Sequence, residues 1–300
     1  MVTMNGARVT ALVAGVIAVV TATMLLTGCS LSESEPETPP GTAPAVFEHV
    51  HELVPDPADG SLLVATHEGL YRFTISTDGT AAAFGPIGGL DFDPMGFTIA
   101  DGVSYASGHP GPTTPGTFGS PNLGLIVSND RGETWTNVSL TGTTDFHSLT
   151  VEATPNGPVS VFGYDASTAR LERSLDDGVT WSSGAELTAR DILAHGNRLY
   201  ATTPDGLAVS EDGGATFTID PTAPALYVIA ADPNGTIAGV DVSGTLWTRE
   251  SGRDWEHGHT IEGAPQAFAV DGSRLYVADD RGIAYTDDAG ASWVVLEVHG

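Results

Sequence analysis

The sequence predicts an all-β fold in which six small sheets form the blades of a β-propeller. A short segment recurs along the chain, and the first residues of three clear and two weaker copies are 46, 36, 38 and 38 residues apart. Repeats of this length are typical of arrays of supersecondary units. Each repeat holds about four short apolar runs separated by turn residues, and no window of the chain shows a helical period. Four strands per repeat is the pattern of a propeller blade; the count favours six blades, with seven as the alternative.

Within each repeat we name the four strands A to D, from the axis of the ring outward. In the A strands apolar and polar residues alternate, and the B strands are apolar. A glycine often begins the C strand, and an aromatic residue begins the D strand. The predicted A strands are 50–54, 97–100, 149–152, 226–230 and 268–270, and the clearest B strands are 62–65, 199–201 and 275–278. In such sheets the A–B and C–D turns share one face of the ring, here called the turn face. The B–C loops and D–A crossovers share the opposite crossover face.

The recurring segment reads Ser-x-Asp-x-Gly-x-Thr-Trp in its clearest copies and lies at the predicted C–D turn. An aspartate at the third position accepts backbone N–H bonds, a glycine at the fifth adopts a positive φ, and the final aromatic fills the gap between neighbouring blades. Weaker copies begin at Thr248 and Thr286, and a degenerate copy lies near Ser76. The residues predicted to have this structural role are Asp130, Gly132, Trp135, Asp176, Gly178, Trp181, Asp212, Gly214 and Phe217.

This segment resembles the Asp-box, or BNR repeat, of sialidases, sortilin-type receptors, photosystem II assembly factors and many secreted bacterial proteins, some of them labelled glycosyl hydrolases. The resemblance covers about residues 45–300 and implies a β-propeller of four-stranded antiparallel blades with Asp-box C–D turns. It implies little about activity, because the box occurs in proteins with unrelated functions.

Residues 1–28 have the features of a bacterial lipoprotein signal peptide. A single positive charge precedes an apolar stretch that ends in Leu-Thr-Gly-Cys at Cys29, the one cysteine of the chain. This ending resembles a lipobox, in which the cysteine is acylated and the signal is cut before it; an uncleaved helical anchor is the alternative. Residues 29–44 have few aliphatic side chains and predict a flexible tether. We therefore expect residues 45–300 to form a propeller anchored at the outer face of the cytoplasmic membrane.

The charge of the chain excludes two kinds of partner. The chain holds 38 acidic residues against 11 basic ones, all of them arginine, and its formal net charge is −27. Such a surface repels phosphate backbones, so no nucleic-acid partner is expected. A basic patch for anionic lipid is excluded as well, so the expected membrane contact is the lipid on Cys29.

The crossover face carries the candidate ligand residues, and all of them come from blades one to three. Five of the nine histidines are predicted to meet there, and His51, Met95 and His147 occupy matching A-strand positions. The corresponding loops of blades four to six hold no histidine. The candidate metal or ligand residues are His49, His51, His67, Met95, His109 and His147.

Histidine and methionine beside carboxylates form a donor set for a metal ion. Imidazole suits copper, zinc or iron, and a thioether adds a preference for copper, so copper or zinc is the expected cofactor. Two other interpretations stay open: a hydrogen-bonded polar network that closes the channel mouth, or a site for a polar organic ligand. The long B–C insertion 107–121, which carries His109, is interpreted either as a lid over this mouth or as an exposed loop.

Two functions are compatible with these features. The favoured one is a lipid-anchored module that binds a protein, glycan or metal ligand on the crossover face. The alternative is an enzyme similar to glycoside hydrolases, for which Glu48 and Glu68 are weak candidates and no other catalytic residue is assigned. Sialidase chemistry itself is not expected, because the resemblance would require an Arg-Ile-Pro motif and an arginine cluster, and the sequence provides neither.

Overall fold

A computed structural model of the chain describes residues 47–77, 79–154 and 157–299, with the backbone alone at Val298 and His299. In these residues the fold is all-β, with six sheets around a central channel, and each sheet uses four consecutive antiparallel strands. The prediction of a six-bladed propeller is confirmed, and the described residues form no seventh blade. The predicted signal peptide 1–28, Cys29, the tether 29–44 and residues 45–46 lie outside the described residues.

The strands follow one another blade by blade, from the axis outward. Blade one contains β1 (Val50–Pro55), β2 (Leu62–Thr66), β3 (Gly69–Ile75) and β4 (Thr80–Phe84); blade two, β5 (Asp93–Ala100), β6 (Val103–His109), β7 (Leu125–Ser128) and β8 (Thr136–Ser139); blade three, β9 (Phe146–Glu152), β10 (Ser160–Asp165), β11 (Arg170–Ser174) and β12 (Ser182–Glu186); blade four, β13 (Asp191–His195), β14 (Arg198–Thr203), β15 (Gly206–Ser210) and β16 (Thr218–Ile219); blade five, β17 (Leu226–Ala231), β18 (Ile237–Asp241), β19 (Thr245–Arg249) and β20 (Glu256–Thr260); blade six, β21 (Ala267–Asp271), β22 (Arg274–Asp279), β23 (Gly282–Thr286) and β24 (Val294–Val295).

Helix is confined to two short 3-10 segments, Ile87–Gly89 and Gly116–Phe118, within the described ranges. Over the same residues no helix has the length and apolar character needed to cross a membrane.

The ring closes at the junction of blades six and one. The six innermost strands pack side by side around a cavity of about 410 Å³, and β21 packs against β1. A short final strand, β25 (Glu297–His299), pairs in parallel with β4 at the outer edge of blade one. This pairing covers an edge strand that would otherwise expose unpaired backbone groups, and it ties the end of the described chain to the first blade.

The recurring segment forms the same C–D turn in four blades. In the blade-two copy, Ser128 Oγ donates to Asp130 Oδ1 at 2.8 Å and accepts the Gly132 N–H at 2.8 Å. The Thr134 N–H and hydroxyl donate to the two carboxylate oxygens of Asp130 at 2.8 and 2.6 Å. Matching bonds occur in the copies that begin at Ser174, Ser210 and Thr286. The carboxylates of these aspartates are thus already hydrogen-bonded within their own turns.

The glycine of each repeated turn packs against the preceding blade. Gly178 has φ of 81°, and a Cβ there would lie 2.1 Å from Cδ2 of Leu125, a fully buried residue of blade two. The turn glycines of blades two, four and six meet leucines at equivalent places on the preceding C strands. Aromatic residues take part in the core between blades one and two, where Trp135 packs edge-on against Phe92 with ring centroids 5.4 Å apart. The hydrophobic core therefore lies between blades, and the turn chemistry sets their spacing.

Candidate functional site

Beta-bulges shape the crossover face. The pairing register between A and B strands shifts at the start of β1, β5, β9 and β17. The extra residue at each shift is His51, Met95, His147 or Tyr227, so these four side chains occupy equivalent positions in their blades. A bulge bends the strand and redirects a side chain, which makes it a common feature beside binding sites.

The first cluster consists of His51, His67 and Asp93, from blades one and two. His51 Nε2 lies 3.2 Å from His67 Nδ1, and that nitrogen lies 3.0 Å from Asp93 Oδ2. His51 Nε2 also lies 2.9 Å from Asp93 Oδ1. The side chain of His51 is only 5% exposed whereas that of His67 is 45% exposed, so the cluster is buried on the His51 side and open to solvent on the His67 side.

The second cluster consists of His109, Asp145 and His147, from blades two and three. Both imidazoles approach the same carboxylate oxygen: His109 Nε2 lies 3.0 Å from Asp145 Oδ2, and His147 Nε2 lies 2.8 Å from it. The other ring nitrogen of His109 lies 3.3 Å from the carbonyl oxygen of Pro121. Asp145 is mostly buried, with 10% of its side chain exposed, whereas both histidines are 42% exposed.

The two clusters follow one construction rule. In each, a histidine at the end of the B strand or in the B–C loop of one blade meets an aspartate at the start of the A strand, or just before it, in the next blade. Asp93 and Asp145 hold equivalent positions, two residues before the bulged residues Met95 and His147. The sequence places both aspartates on this face, but they were not among the candidate ligands. The signal that could have identified them is their shared position two residues before the bulged residue.

Oδ1 of Asp145 is buried and has no hydrogen bond among the described residues, whereas Oδ1 of Asp93 lies 2.9 Å from His51 Nε2. A buried carboxylate oxygen without a partner is costly, and a bound cation would offset that cost. In a metal site with bonds of about 2.0–2.1 Å, adjacent ligand atoms lie about 2.9–3.4 Å apart, close to the separations seen in both clusters.

The clusters are electrostatically coupled to their carboxylates. Burial of Asp93 disfavours its charged form, but the contacts with His51 and His67 outweigh burial and lower its pKa. The hydrogen bond with Asp145 raises the pKa of His147, with burial opposing it. The negative charge of Asp93 therefore persists near neutral pH and is available to a cation.

The remaining predicted site residues lie outside the two clusters and differ in position and burial. His49 packs edge-on beside the first cluster, with its ring centroid 4.8 Å from that of His51, and burial together with the charge of neighbouring imidazoles lowers its pKa. Met95 is half-buried at the bulge of β5. Glu48 is exposed, whereas Oε2 of Glu68 is buried and has no hydrogen bond among the described residues.

The insertion after β6 is fastened to the crossover face at several points. Asp91 accepts the Thr113 N–H at 2.8 Å and the Thr114 hydroxyl at 2.9 Å. Burial opposes ionisation of Asp91, but these hydrogen bonds prevail and lower its pKa. The Asn137 amide donates to the carbonyl oxygen of Phe118 at 3.1 Å. These hydrogen bonds therefore hold the loop in place beside His109, and the carboxylate of Asp91 is used to anchor it.

Comparison with known proteins identifies the fold alone. No protein-family model matches the sequence, and no curated protein matches it. A chain of the nidogen–laminin complex is similar over 78% of this chain and 91% of that one, with a TM-score of 0.59 and 17% identity. A GH74 enzyme of Niastella koreensis is similar over 83% of this chain and 37% of its own, with a TM-score of 0.51 and 19% identity. YCF48 bound to a D1 peptide has a TM-score of 0.48, 12% identity and coverage of 84% and 82%.

The two of these structures with TM-scores above 0.5 are a GH74 enzyme and a chain of the nidogen–laminin complex. At such low identity they show that the chain is a β-propeller module, and they leave its activity open.

Proposed function

We propose that this protein is a propeller module that binds divalent transition-metal ions on its crossover face, one ion at each of the two clusters. The observation that carries the proposal is the pair of His₂Asp clusters, in each of which the nitrogen and oxygen ligand atoms all lie within 4.8 Å of one another. Two imidazoles and one carboxylate are a common ligand set that leaves coordination positions open.

The donor atoms of both clusters suit zinc, and neither cluster needs a thioether. Each cluster offers imidazole nitrogen and carboxylate oxygen, which zinc accepts. The preference for copper came from the thioether of Met95, which is not needed to define either cluster. The polar-network interpretation predicts that the aspartate oxygens would be satisfied, yet Oδ1 of Asp145 is buried and without a hydrogen bond among the described residues.

The location of the module is part of the same proposal. The lipobox-like ending at Cys29 supports a lipid anchor at the outer face of the cytoplasmic membrane. The repeated C–D turns support membership of the Asp-box propellers, since their aspartates make the hydrogen bonds that the motif implies. A propeller on a tether would present the crossover face to metal or to a partner outside the cell.

Metal content of the purified protein tests the proposal. Full-length chain in detergent is loaded with zinc, desalted and analysed by mass spectrometry, with copper and iron in parallel. We expect two equivalents of zinc in the wild type and one in each of the variants His51→Ala and His147→Ala. The control His195→Ala, on the turn face, should keep both. Wild-type protein that retains no transition metal would refute the proposal.

One observation favours the alternative, a glycoside hydrolase-like enzyme. Glu68 lies close enough to Tyr71 that, after burial, its charge helps to raise the pKa of that phenol. However, Tyr71 is 4% exposed and belongs to the core between blades six and one. Arg72 donates to the carbonyl oxygen of Arg131, and Arg170 pairs with Glu186, so they form no substrate clamp. Release of chromophore from aryl glycosides, lost in Glu68→Ala and resistant to chelator, would support the enzyme.

A further inference from the structure

The junction between blades six and one differs from the other five junctions in its aromatic residues. In blades two to six the recurring segment ends in an aromatic side chain that packs against the core shared with the preceding blade: Trp135, Trp181, Phe217, Trp255 and Trp293. In blade one the equivalent position, directly before the first paired residue of the outermost strand, holds Thr80. A threonine fills less space than an aromatic ring, so the repeat alone leaves this junction less completely filled.

Phe47, from the segment before β1, supplies part of the missing aromatic contact. Its ring centroid lies 4.8 Å from that of Tyr71 and 5.9 Å from that of Phe73, both in β3. A cavity of about 330 Å³ remains beside it. The apolar part of the lining comes from both blades: Phe47, Val50, Phe73, Ala278, Ile283 and Leu296. A cavity of this size and composition can hold a small organic molecule.

The polar part of the lining comes from the B–C loop of blade six, residues 279–282, and from Gln266. Asp279 is fully buried, and its Oδ1 accepts the backbone N–H and the Nε–H of Arg281 at 2.9 and 3.0 Å. The guanidinium of Arg281 also lies over the ring of Trp293, 4.5 Å from the centroid. Oε1 of Gln266 accepts a backbone N–H of β1 at 2.9 Å. The charges of Asp279 and Arg281 therefore neutralise each other, and the amide oxygen of Gln266 is already used.

The neighbouring carboxylate, that of Asp280, has a different environment. The residue is exposed, lines the cavity and forms no ion pair in the described part of the chain. Its Oδ2 lies against Gly263, where a Cβ would be only 2.1 Å away, so the absence of a side chain at Gly263 makes space for the carboxylate. The backbone N–H of Asp280 donates to the carbonyl oxygen of Glu262 at 3.4 Å. The rim of the cavity therefore carries a carboxylate whose charge is not neutralised by an ion pair.

We propose that this cavity binds an organic cation with an apolar body, in which an ammonium group faces Asp280 and the body contacts the apolar walls. The ammonium group would neutralise Asp280, and the rings of Phe47 and Phe73 attract a cation as well as apolar groups. An anionic ligand would meet a carboxylate at the rim and a formal net charge of −27 on the chain. An uncharged ligand would remove water from Asp280 and provide no ionic contact in return.

Calorimetric titration of the metal-free full-length chain in neutral detergent tests the inference. The probes are benzyltrimethylammonium and phenylacetate, which share a phenyl ring and carry opposite charges. The quaternary ammonium group has no lone pair, so its binding cannot report the metal sites. We expect the cation to bind at least about tenfold more tightly than the anion, because it alone matches the charge of Asp280 and the aromatic walls.

Two variants locate the site. Asp280→Asn should weaken the binding of benzyltrimethylammonium about two- to fivefold, the modest effect expected of an exposed charge. The control Asp205→Asn removes an exposed carboxylate from the B–C loop of blade four and should bind as the wild type does. Phe47→Ala should weaken binding at least about tenfold, because it removes one wall of the cavity together with its ring.

Methyl NMR of the wild type gives a measurement that depends on no variant. The phenyl ring of the cationic probe should shift the methyl signals of Ile283, which lines the cavity, and leave those of Ile192 in blade four unchanged. Wild type that binds neither probe, or that binds phenylacetate as tightly as the cation, overturns the inference.

The inference is also overturned if Asp280→Asn and Phe47→Ala both bind with wild-type affinity, or if the Ile283 signals do not shift at saturation. The metal proposal stands or fails separately, since it is judged by zinc retention, whereas this cavity is probed without metal.

Discussion

The turn face and the crossover face of this propeller are built from the same repeat but differ in how regular they are. On the turn face, four blades carry the same Ser/Thr–Asp–Gly hydrogen bonds, and each turn glycine meets a leucine of the preceding blade. On the crossover face, the equivalent bulge positions hold His51, Met95, His147 and Tyr227. The repeated contacts of the turn face thus hold the blades together. The crossover face instead carries polar side chains that differ from blade to blade and take no part in those repeated contacts.

The largest effect on stability is expected at the turn face, from Gly178→Ala. The new Cβ would lie 2.1 Å from Leu125 Cδ2, and the backbone has φ of 81°. Overpacking and backbone strain together should lower the free energy of unfolding by about 2–4 kcal/mol. Urea denaturation of metal-free protein measures this change.

A matched control separates the contact from the backbone strain. Gly196 has φ of 63° and no atom within 4 Å of a built Cβ, so Gly196→Ala should lower the free energy of unfolding by about 1 kcal/mol. Equal losses for the two variants would show that contact between blades at the repeated turn has no special importance.

A change of comparable chemical severity at the crossover face should affect metal binding and leave the ring intact. Asp145→Asn is expected to weaken zinc binding at the second cluster at least about tenfold, because the amide lacks the carboxylate charge. The rise in Tm on adding zinc should shrink accordingly, since a ligand stabilises the native state through its affinity. Tm of the metal-free variant should stay close to that of the wild type.

Asp93→Asn provides the paired measurement at the first cluster. If each cluster holds its own ion, each variant loses one equivalent and the double variant loses both. Loss of both equivalents in either single variant would contradict two independent sites.

The smallest expected effect is the loss of folding stability at acid pH that comes from the aspartates of the turn face. Hydrogen bonds from Thr216, and then from Ser210, lower the pKa of Asp212 from the ordinary 3.8 to about 2, and its counterpart Asp288 behaves alike. Because the folded-state pKa is the lower one, these carboxylates stabilise the fold fully above the ordinary value. That stability is lost as the pH falls toward 2.

Urea midpoints recorded between pH 5 and pH 2 check this response. Asp212→Asn should flatten the decline slightly relative to the wild type, since both carboxylates are exposed and screened by solvent. An unchanged pH dependence in the variant would contradict the assignment.

The candidate site was only partly predictable from its residues. The strand pattern placed His51, His67, His109 and His147 on one face, and the structure brings them together in two clusters. The individual pairings were not predictable, because they depend on how far each blade turns relative to its neighbour. The cavity between blades six and one gave no local signal, since its walls come from the beginning and the end of the described chain.

By itself the sequence determined the four-stranded repeat and the chemistry of the turns, because apolar alternation, a turn aspartate and a turn glycine act over a few neighbouring residues. Only the tertiary structure decided that Asp93 meets His67 and Asp145 meets His109, and that β25 joins blade one. Those contacts form between separate sheets, whose relative positions follow from the packing of the whole ring.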